Sequence, residues 1–329
     1  MHVVGIDPAA DTFVAGTYPA TTAATFDNTA EGIAAFLAAL PDGALVAVEN
    51  TGVYSEALCY ALHEAGVALV RLDPHALHRA FPGTAKTDAL DSQKVAEYAH
   101  RFQDRLARWQ PHAAVVEQVR VLLATREQLV AQKTAATNAR HALRRKVVQT
   151  PAANAALDAT VAHLKGQVAA LEAELRRLVG AHPTLASGVS LLLAIPGVGL
   201  LLSAQMLVLT SGFAEAPRYR PMAQRLGIAP NAYESGTSVR RRSRSRGYGP
   251  AEVRKLLHLA ARSVRTHNAA QRAYFEQKVL VGKAPALVLN NLANRLLRVM
   301  CAVLRDGRPY RPGHVSVSPM LLTSHRQSG

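Results

Sequence analysis

The chain has 329 residues, 49% of them hydrophobic, so it is long enough for about two folded domains and is not globally disordered. Its formal net charge is +15, yet residues 1–100 carry a net charge of −8 and the remainder a net charge of +23. The basic part is typical of a nucleic-acid-binding surface, because neutralising phosphates releases counterions, whereas the acidic part can approach phosphate only through cations.

Cysteine usage and hydropathy narrow the class of protein further. The two cysteines, Cys59 and Cys301, lie far apart in the sequence and indicate neither a disulfide framework nor a cysteine zinc site. The first residues lack the pattern of a signal peptide, so the expected location is the cytoplasm. Residues 188–212 are uncharged over a length that could span a bilayer, but Pro196 and Gly197 interrupt them. A buried helical hairpin is therefore favoured over a membrane span.

Residues 1–100 alternate apolar runs with helical patterns, which indicates an α/β sheet domain. A capping box of Asn28 and Glu31 marks the start of the first helix, and Thr87 lies near the start of the last. The predicted strands are 2–7, 44–49 and 67–73, and the predicted helices are 28–40, 55–66 and 86–102.

The segment from about residue 112 to 180 is poor in glycine and is predicted to be helical. Its apolar residues step by four and three, which is the spacing of a coiled coil. These residues form either a helical hairpin packed on itself or a dimer seam, and an arm used in self-association is favoured; residues 150–154 are predicted to be the turn between the two helices. The apolar positions are Leu164, Val168, Leu171, Leu175 and Leu178.

Four carboxylates in the acidic domain suggest a metal site. Asp7 and Glu49 end two predicted strands, where ligands of open α/β sheets bind, and Asp88 and Asp91 share one face of the first turn of a helix. Clustered carboxylates repel one another unless a hard cation such as Mg²⁺ binds, and Mg²⁺ can polarise a phosphodiester. Taken singly, each acid also fits an ordinary cap or strand end, and Asp11 is a substitute for Asp7 placed in the following turn.

The basic half begins with a sequence that favours phosphate contact. Residues 194–207, with Gly197 and Gly199 in the turn, have the form of a helix-hairpin-helix, in which glycines let backbone N–H groups approach a phosphate. Tight packing between helices explains the same glycines equally well. The segment 251–267 is predicted to be an amphipathic helix that turns Leu256, Leu257, Leu259 and Ala260 inward and Arg254, Lys255 and Arg262 outward.

Ser235 and Gly236 precede five arginines within residues 240–246. Arginines could neutralise a phosphate under attack by the serine, but serine alone is a weak nucleophile and Tyr233 and Ser238 are rivals. No histidine adjoins Ser235, so a Ser-His-Asp hydrolase is not indicated. The predicted nucleic-acid-binding residues are Gly197, Gly199, Arg240, Arg241, Arg242, Arg244, Arg246, Arg254 and Lys255.

Together these blocks resemble the DEDD-motif transposases of insertion sequences, a family of bridge-RNA-guided serine recombinases. The resemblance covers roughly residues 2–265 and depends on the order in which "GIDPAADTF", "VAVENTGVYS", "KTDALDSQKVAEYA", "AIPGVGLLLSAQML" and "AYESGTSV" occur. It implies an RNase H-like (RuvC-like) N-terminal domain, a coiled-coil middle and a mainly α transposase domain. The implied bounds are 1–108 for the acidic domain, 109–183 for the arm, 184–305 for the transposase domain and 306–329 for a loose tail.

The resemblance also implies a mechanism and partners. The Asp-Glu-Asp-Asp set falls on Asp7, Glu49, Asp88 and Asp91 and would hold Mg²⁺, while Ser235 would attack a DNA phosphodiester, in trans between subunits of a homodimer or homotetramer. A structured noncoding guide RNA would pair with donor and target DNA. The arginine-dense segment after the Ser-Gly pair departs from the family pattern and leaves the catalytic arginine unassigned.

Two other functions fit the same residues. A metal-dependent structure-specific nuclease would use the four carboxylates to activate water, with Ser235 incidental. A non-catalytic nucleic-acid-binding protein would use the acids only as caps. A serine recombinase forms a covalent protein–DNA adduct, which a nuclease that uses water cannot form. A non-catalytic binding protein leaves DNA strands intact whether or not Mg²⁺ is present.

Overall fold

The structure is a computed structural model that describes residues 2–82, 87–214, 217–235, 239–245, 247 and 249–312, and the side chains of 231–244 lie outside the description. The chain divides into two units, Met1–Pro111 and His112–Gly329. The four segments predicted from the sequence divide the chain more finely than these units and stay a prediction.

Unit 1 is built on a five-stranded mixed sheet in the order β3-β2-β1-β4-β5. Strands β1, β4 and β5 run parallel, whereas β2 and β3 are antiparallel to their neighbours. The strands are β1 Val3–Pro8, β2 Thr12–Tyr18, β3 Ala23–Asp27, β4 Leu45–Glu49 and β5 Ala68–Leu72; the helices are α1 Ala30–Ala39, α2 Glu56–Glu64, α3 Pro74–Ala80 and α4 Asp88–Phe102.

Alternating residues of the strands feed two cores on opposite faces of this sheet. One face packs on α1 and α2 through residues such as Ile6, Phe36 and Leu58, and the other packs on α3 and α4 through Val3 and Val95. The predicted α/β class of the N-terminal domain is confirmed by this arrangement. The strand order is that of the RNase H-like fold, which the resemblance implies.

In the first two thirds of the chain, the structure corrects two local predictions and adds two strands that were not predicted. The N-cap of α1 is Thr29, whose hydroxyl accepts from the backbone N–H of Gly32, and not Asn28. Strands β2 and β3 were not predicted, because their small residues hide the alternation of buried and exposed positions. Residues 151–154 belong to a helix, because Pro151 fits the first helical position, where no N–H is needed.

Unit 2 is mainly helical. Its helices are α5 Ala114–Leu143, α6 Pro151–Gly180, α7 Pro183–Leu193, α8 Leu200–Leu209, α9 Tyr219–Arg225, α10 Ala251–His267, α11 Ala269–Leu280 and α12 Pro285–Asp306. Two strands, β6 Pro230–Ser235 and β7 Val239–Ser245, form an antiparallel hairpin between α9 and α10. The uncharged stretch 188–212 therefore holds parts of two short helices, as the hairpin interpretation predicts.

The heptad positions of α6 are covered within the chain. Leu175 and Leu178 share a core with Val116 and Val119 of α5, and Arg126 Nε of α5 donates to Glu172 Oε1 at 2.7 Å. The structure thus shows the intrachain hairpin. Self-association through the arm stays a prediction.

Helix α12 is the one described helix that is long and apolar enough to cross a membrane, with a mean hydropathy of 1.3. Of that stretch, 56% is buried, and its apolar side chains, Leu292, Leu297 and Met300 among them, form the centre of the core of unit 2. This burial is usual for the central helix of a folded core.

Candidate active site

The four predicted carboxylates come from three separate chain segments and line one cleft in unit 1. The cleft has a volume of about 710 Å³ and includes Asp7, Glu49, Asp88 and Asp91. Asp11 is exposed in the turn between β1 and β2 and is not among the residues that line the cleft. The structure therefore brings the predicted set together with Asp7 as its first member.

The sheet explains why Asp7 and Glu49 are neighbours. Strands β1 and β4 are parallel and pair Ile6 with Val48, so Asp7 and Glu49 follow one position further along. Because side chains alternate between faces, Asp7 lies on the face of Val3 and Glu49 on the face of Leu45, which is the face covered by α4.

Helix α4 supplies the other two carboxylates in its first turn. Thr87 caps the helix, since its hydroxyl accepts from the backbone N–H of Leu90 at 3.3 Å, and Asp88 and Asp91 follow. The helix lies very close to the sheet: a Cβ added to Gly5 would be 2.2 Å from the carbonyl oxygen of Ser92. This contact fixes where the two acids stand above the strand ends.

A lysine side chain, Lys94, lies among the acids of the cleft. Lys94 Nζ is 2.7 Å from Asp91 Oδ1, and both side chains are only 19% exposed. The ammonium offsets part of the repulsion between the carboxylates. Sequence reasoning missed Lys94, although the i,i+3 spacing from Asp91 was a readable signal.

Two histidines of α3 also line the cleft and were not predicted. Asp73 caps this helix by accepting from the backbone N–H of His75 at 2.9 Å, and His78 follows one turn later. Both imidazoles are exposed to solvent. Because imidazole nitrogens can donate hydrogen bonds, the two histidines add donors to the lining of an otherwise acidic cleft.

Asn28 ties two loops of the cleft together. Its Nδ2 donates to the carbonyl oxygen of Ala9 at 2.9 Å and to that of Tyr54 at 2.8 Å. The first carbonyl follows β1, which carries Asp7, and the second lies in the short 3-10 turn after Glu49. Asn28 therefore holds the two strand ends in register beyond the sheet.

Replacing Asn28 by alanine should lower the free energy of unfolding of unit 1 by about 1–3 kcal/mol, because two carbonyls lose their donor. Urea unfolding followed by circular dichroism measures this change. Gln103→Ala is the control, since Gln103 is exposed and no side-chain hydrogen bond to it is described. Equal midpoints for the two variants would show that the Asn28 bonds contribute nothing.

The donor set of the cleft suits a hard divalent cation. Carboxylate oxygens are the ligands that Mg²⁺ prefers, and four of them line one cavity. In the described residues, no three Asp, Glu, His or Cys side chains yet stand close enough together to hold a metal ion. A bound cation would require the carboxylates to turn inward around it.

In unit 2, Ser235 is the last residue of β6 and pairs with Val239, the first residue of β7. Arg240 pairs with Glu234 and Arg241 with Tyr233, so the predicted basic strip is a strand of a hairpin. Arg242 and Arg244 belong to the same strand. Gly236, Ser238 and Arg246 lie outside the described residues.

The remaining predicted nucleic-acid contacts are packed in different ways. A Cβ on Gly197, whose φ is +82°, would be 2.5 Å from Val264 Cγ2, so packing against α10 requires this glycine. Gly199 caps α8 and has open space beside its Cα. Arg254 Nη1 donates to the carbonyl oxygen of Gly249 at 2.7 Å, and Lys255 pairs with Glu252.

Helix α10 has the predicted amphipathic character, with one correction. Val253, Leu257, Ala260 and Val264 are buried in the core of unit 2. Leu259, predicted to face inward, is 51% exposed, because a residue two positions after Leu257 lies about 200° around the helix.

Comparison with protein families matches most of the chain. Residues 4–148, which contain the four carboxylates, match a model described as a transposase with a DEDD domain. Residues 189–276, which contain Ser235, match the model of the IS116/IS110/IS902 transposase family, and the two matches together cover more than two thirds of the chain. The chain belongs to the IS110/IS116/IS902 family of transposases.

Individual proteins similar to this transposase include an insertion-element protein and a gene-inverting protein. An uncharacterized 43.6 kDa protein of insertion element IS110 from Streptomyces coelicolor is 32% identical over 141 residues, which are 43% of this chain. The matched part spans only about a third (34%) of that relative. The pilin gene-inverting protein of Moraxella lacunata is 26% identical over 271 residues, which are 80% of each chain.

Among solved structures, the transposase is similar to the Thermus thermophilus RuvC protein in complex with a Holliday junction substrate. That likeness has a TM-score of 0.26 and 15% identity, and it covers 33% of this chain and 99% of the RuvC chain.

Proposed function

We propose that the protein is an RNA-guided DNA transposase that cuts and rejoins strands through Ser235. The observation that carries the proposal is the convergence of Asp7, Glu49, Asp88 and Asp91 on one cleft. Lys94 offsets only part of the repulsion among four carboxylates, so the set favours a bound divalent cation, which phosphodiester cleavage can use. The name of the Moraxella relative, a pilin gene-inverting protein, also describes a process in which DNA must be cut and rejoined.

The proposed chemistry is a transfer of the phosphodiester to serine and back. Ser235 Oγ forms a bond to phosphorus while the bond to the leaving oxygen of the DNA strand breaks. The proton lost from the serine hydroxyl balances the proton gained by that oxygen. Attack by a strand hydroxyl on the protein–DNA link then reverses the step and rejoins DNA.

The basic strand and the carboxylates have separate parts in this proposal. Arginines of β7 flank the end of the strand where Ser235 lies and would neutralise the phosphate, which is worth more than binding alone because the charge grows in the transition state. Asp7, Glu49, Asp88 and Asp91 would hold Mg²⁺, which when bound polarises a phosphoryl oxygen.

A noncoding guide RNA is the proposed source of sequence specificity. The basic part of the chain is rich in arginine and the whole has only 5% aromatic residues, a composition suited to contacts with backbones rather than with bases. The working assembly is proposed to be a homodimer or homotetramer.

A covalent-trapping assay tests the mechanism. Purified protein is incubated with Mg²⁺, labelled element-end DNA and its flanking noncoding RNA, then denatured in detergent and run on a gel. We expect an adduct with the wild type and with Tyr233→Phe and Ser238→Ala, and none with Ser235→Ala. Cleavage without any adduct, retained in Ser235→Ala, would contradict the serine mechanism.

The second candidate is a metal-dependent nuclease that uses water. It is favoured by one observation, that all four carboxylates of the cleft belong to unit 1. Adduct-free cleavage in the same assay would support it. Intact DNA in every lane, with and without Mg²⁺, would leave only a nucleic-acid-binding role.

A further inference from the structure

The outer half of the α5–α6 hairpin contains no buried side chain. The buried residues of α5 end at Leu123 and those of α6 begin at Leu164. The residues between them, 124–163, here called the hairpin arm, therefore pack only helix against helix over about 30 Å. A segment that adds no core to its own unit is available for a partner.

Two valines are exposed at the end of this arm. Residues 144–150, here called the arm tip, join the helices, and Val147 is 99% and Val148 79% exposed. Val147 is the most exposed large hydrophobic side chain in the part of the chain that the structure describes. Both side chains contribute almost nothing to the core of their own unit, so they are available for a contact outside the chain.

Polar contacts hold the turn in this form without the valines. Asp158 accepts from Arg140 Nη1 at 3.2 Å and from Arg144 Nη2 at 2.8 Å. Gln149 accepts from Asn154 Nδ2 at 3.1 Å and donates to carbonyl oxygens of the turn. The arm tip is thus a built turn with its apolar pair facing outward.

The arm carries a net charge of +4, and three consecutive cations, Arg144, Arg145 and Lys146, directly precede the valines. Arg144 is engaged by Asp158, whereas no ion pair to Arg145 or Lys146 is found among the described residues. A duplex nucleic acid has both features that this surface could bind. Its phosphates would attract the cationic side chains, and its stacked bases would accept the apolar pair. The two valines offer too little apolar area to bind a membrane surface. The arm tip of a second copy of the chain would be repelled, because both tips carry the same positive charge.

We propose that the arm tip is a duplex-binding wedge. Arg145 and Lys146 bind backbone phosphates, and Val147 and Val148 press between base pairs at the minor groove and bend the duplex. The inference deepens the proposed function, since it supposes that the protein acts on DNA. It assigns to the arm a role apart from the carboxylate cleft and from Ser235.

The test uses the full chain, with and without the noncoding RNA, and a DNA duplex that carries donor and acceptor dyes at its ends. Wild-type protein should bend the duplex and raise energy transfer, and Val147→Ser with Val148→Ser should remove most of that rise. Val121→Ser is the matched control, because Val121 is 56% exposed on α5 outside the arm. Arg145→Gln with Lys146→Gln should lower the slope of log affinity against log salt by about 2.

Arg101→Gln with Arg105→Gln is the charge control and should leave the salt slope unchanged, since both side chains are exposed in the acidic unit. Wild-type bending and slope in the arm-tip variants would overturn the wedge while leaving the proposed function intact. A changed oligomeric state in light scattering, with unchanged DNA binding, would assign the tip to a second copy and also overturn it. Failure of the wild type to bind any DNA would contradict both proposals.

Discussion

Replacing Asp7 by asparagine is expected to reduce strand cleavage on the order of 10²–10³-fold, the usual loss when one preorganised electrostatic group is removed. Asp7 lies one residue before the end of β1, next to Glu49 and on the face that α4 covers, so its carboxylate belongs to the set that would hold Mg²⁺. Asparagine keeps the size and one oxygen but removes the charge. Binding of DNA should change little, because the basic residues are elsewhere.

The matched control is Asp11→Asn, which removes a carboxylate four residues away that does not line the cleft. Cleavage is followed with labelled element-end DNA over a Mg²⁺ titration. Loss of cleavage in Asp11→Asn with retention in Asp7→Asn would contradict the assignment of the site. That result would assign the first carboxylate of the site to Asp11, in the turn between β1 and β2.

Gly5→Ala should destabilise unit 1 by about 1–3 kcal/mol or more, which is the cost of overpacking. The new Cβ would be 2.2 Å from both the backbone N of Ala96 and the carbonyl oxygen of Ser92, and backbone cannot turn aside as a flexible side chain can. A Cβ on Gly16 of the neighbouring strand would likewise be 2.7 Å from Gln93 N, so α4 packs tightly on both strands. The helix must lift, and Asp88 and Asp91 move with it.

Thermal unfolding measures this effect, and Gly166→Ala supplies a control of opposite sign. Gly166 lies within α6 with no atom within 4 Å of an added Cβ, so alanine there should stabilise the helix by about 0.5–1 kcal/mol. A variant at Gly5 that melts with the wild type and cleaves at the same rate would refute the close contact between α4 and the sheet.

Much of the sheet domain could be predicted because its buried strands are long apolar runs. "HVVGID", "ALVAVE" and "VALVRLD" contain little else, and Thr87 signals the start of α4 through its cap. Strands β2 and β3 were missed because alanine, glycine and threonine carry too little contrast between faces. The β6–β7 hairpin was missed as a strand pair because arginine occupies three consecutive positions of β7, so its sequence shows no alternation, whereas backbone pairing does not depend on the side chain.

The candidate site also contains residues that could be predicted from the sequence and residues that could not. The four acids could be placed from strand ends, a helix turn and the resemblance, since each lies at an element boundary that the sequence marks. His75 and His78 join the cleft only through the packing of α3 on the sheet, which no local pattern reveals, whereas the i,i+3 spacing of Lys94 from Asp91 could have been read from the sequence. Asn28 was read as a cap because its neighbour Thr29 has the same capping chemistry.

Because α4 packs on the sheet at Gly5 and Gly16, the carboxylate set depends on a helix that is synthesised after all five strands. Asp7 and Glu49 leave the ribosome early, but the other two acids reach the cleft only when α4, which ends at Phe102, has docked on the sheet. A nascent chain that ends before α4 therefore has at most half of the carboxylate set. The cleft is complete only when α4 lies on the sheet, so a product truncated before α4 lacks the second pair of carboxylates.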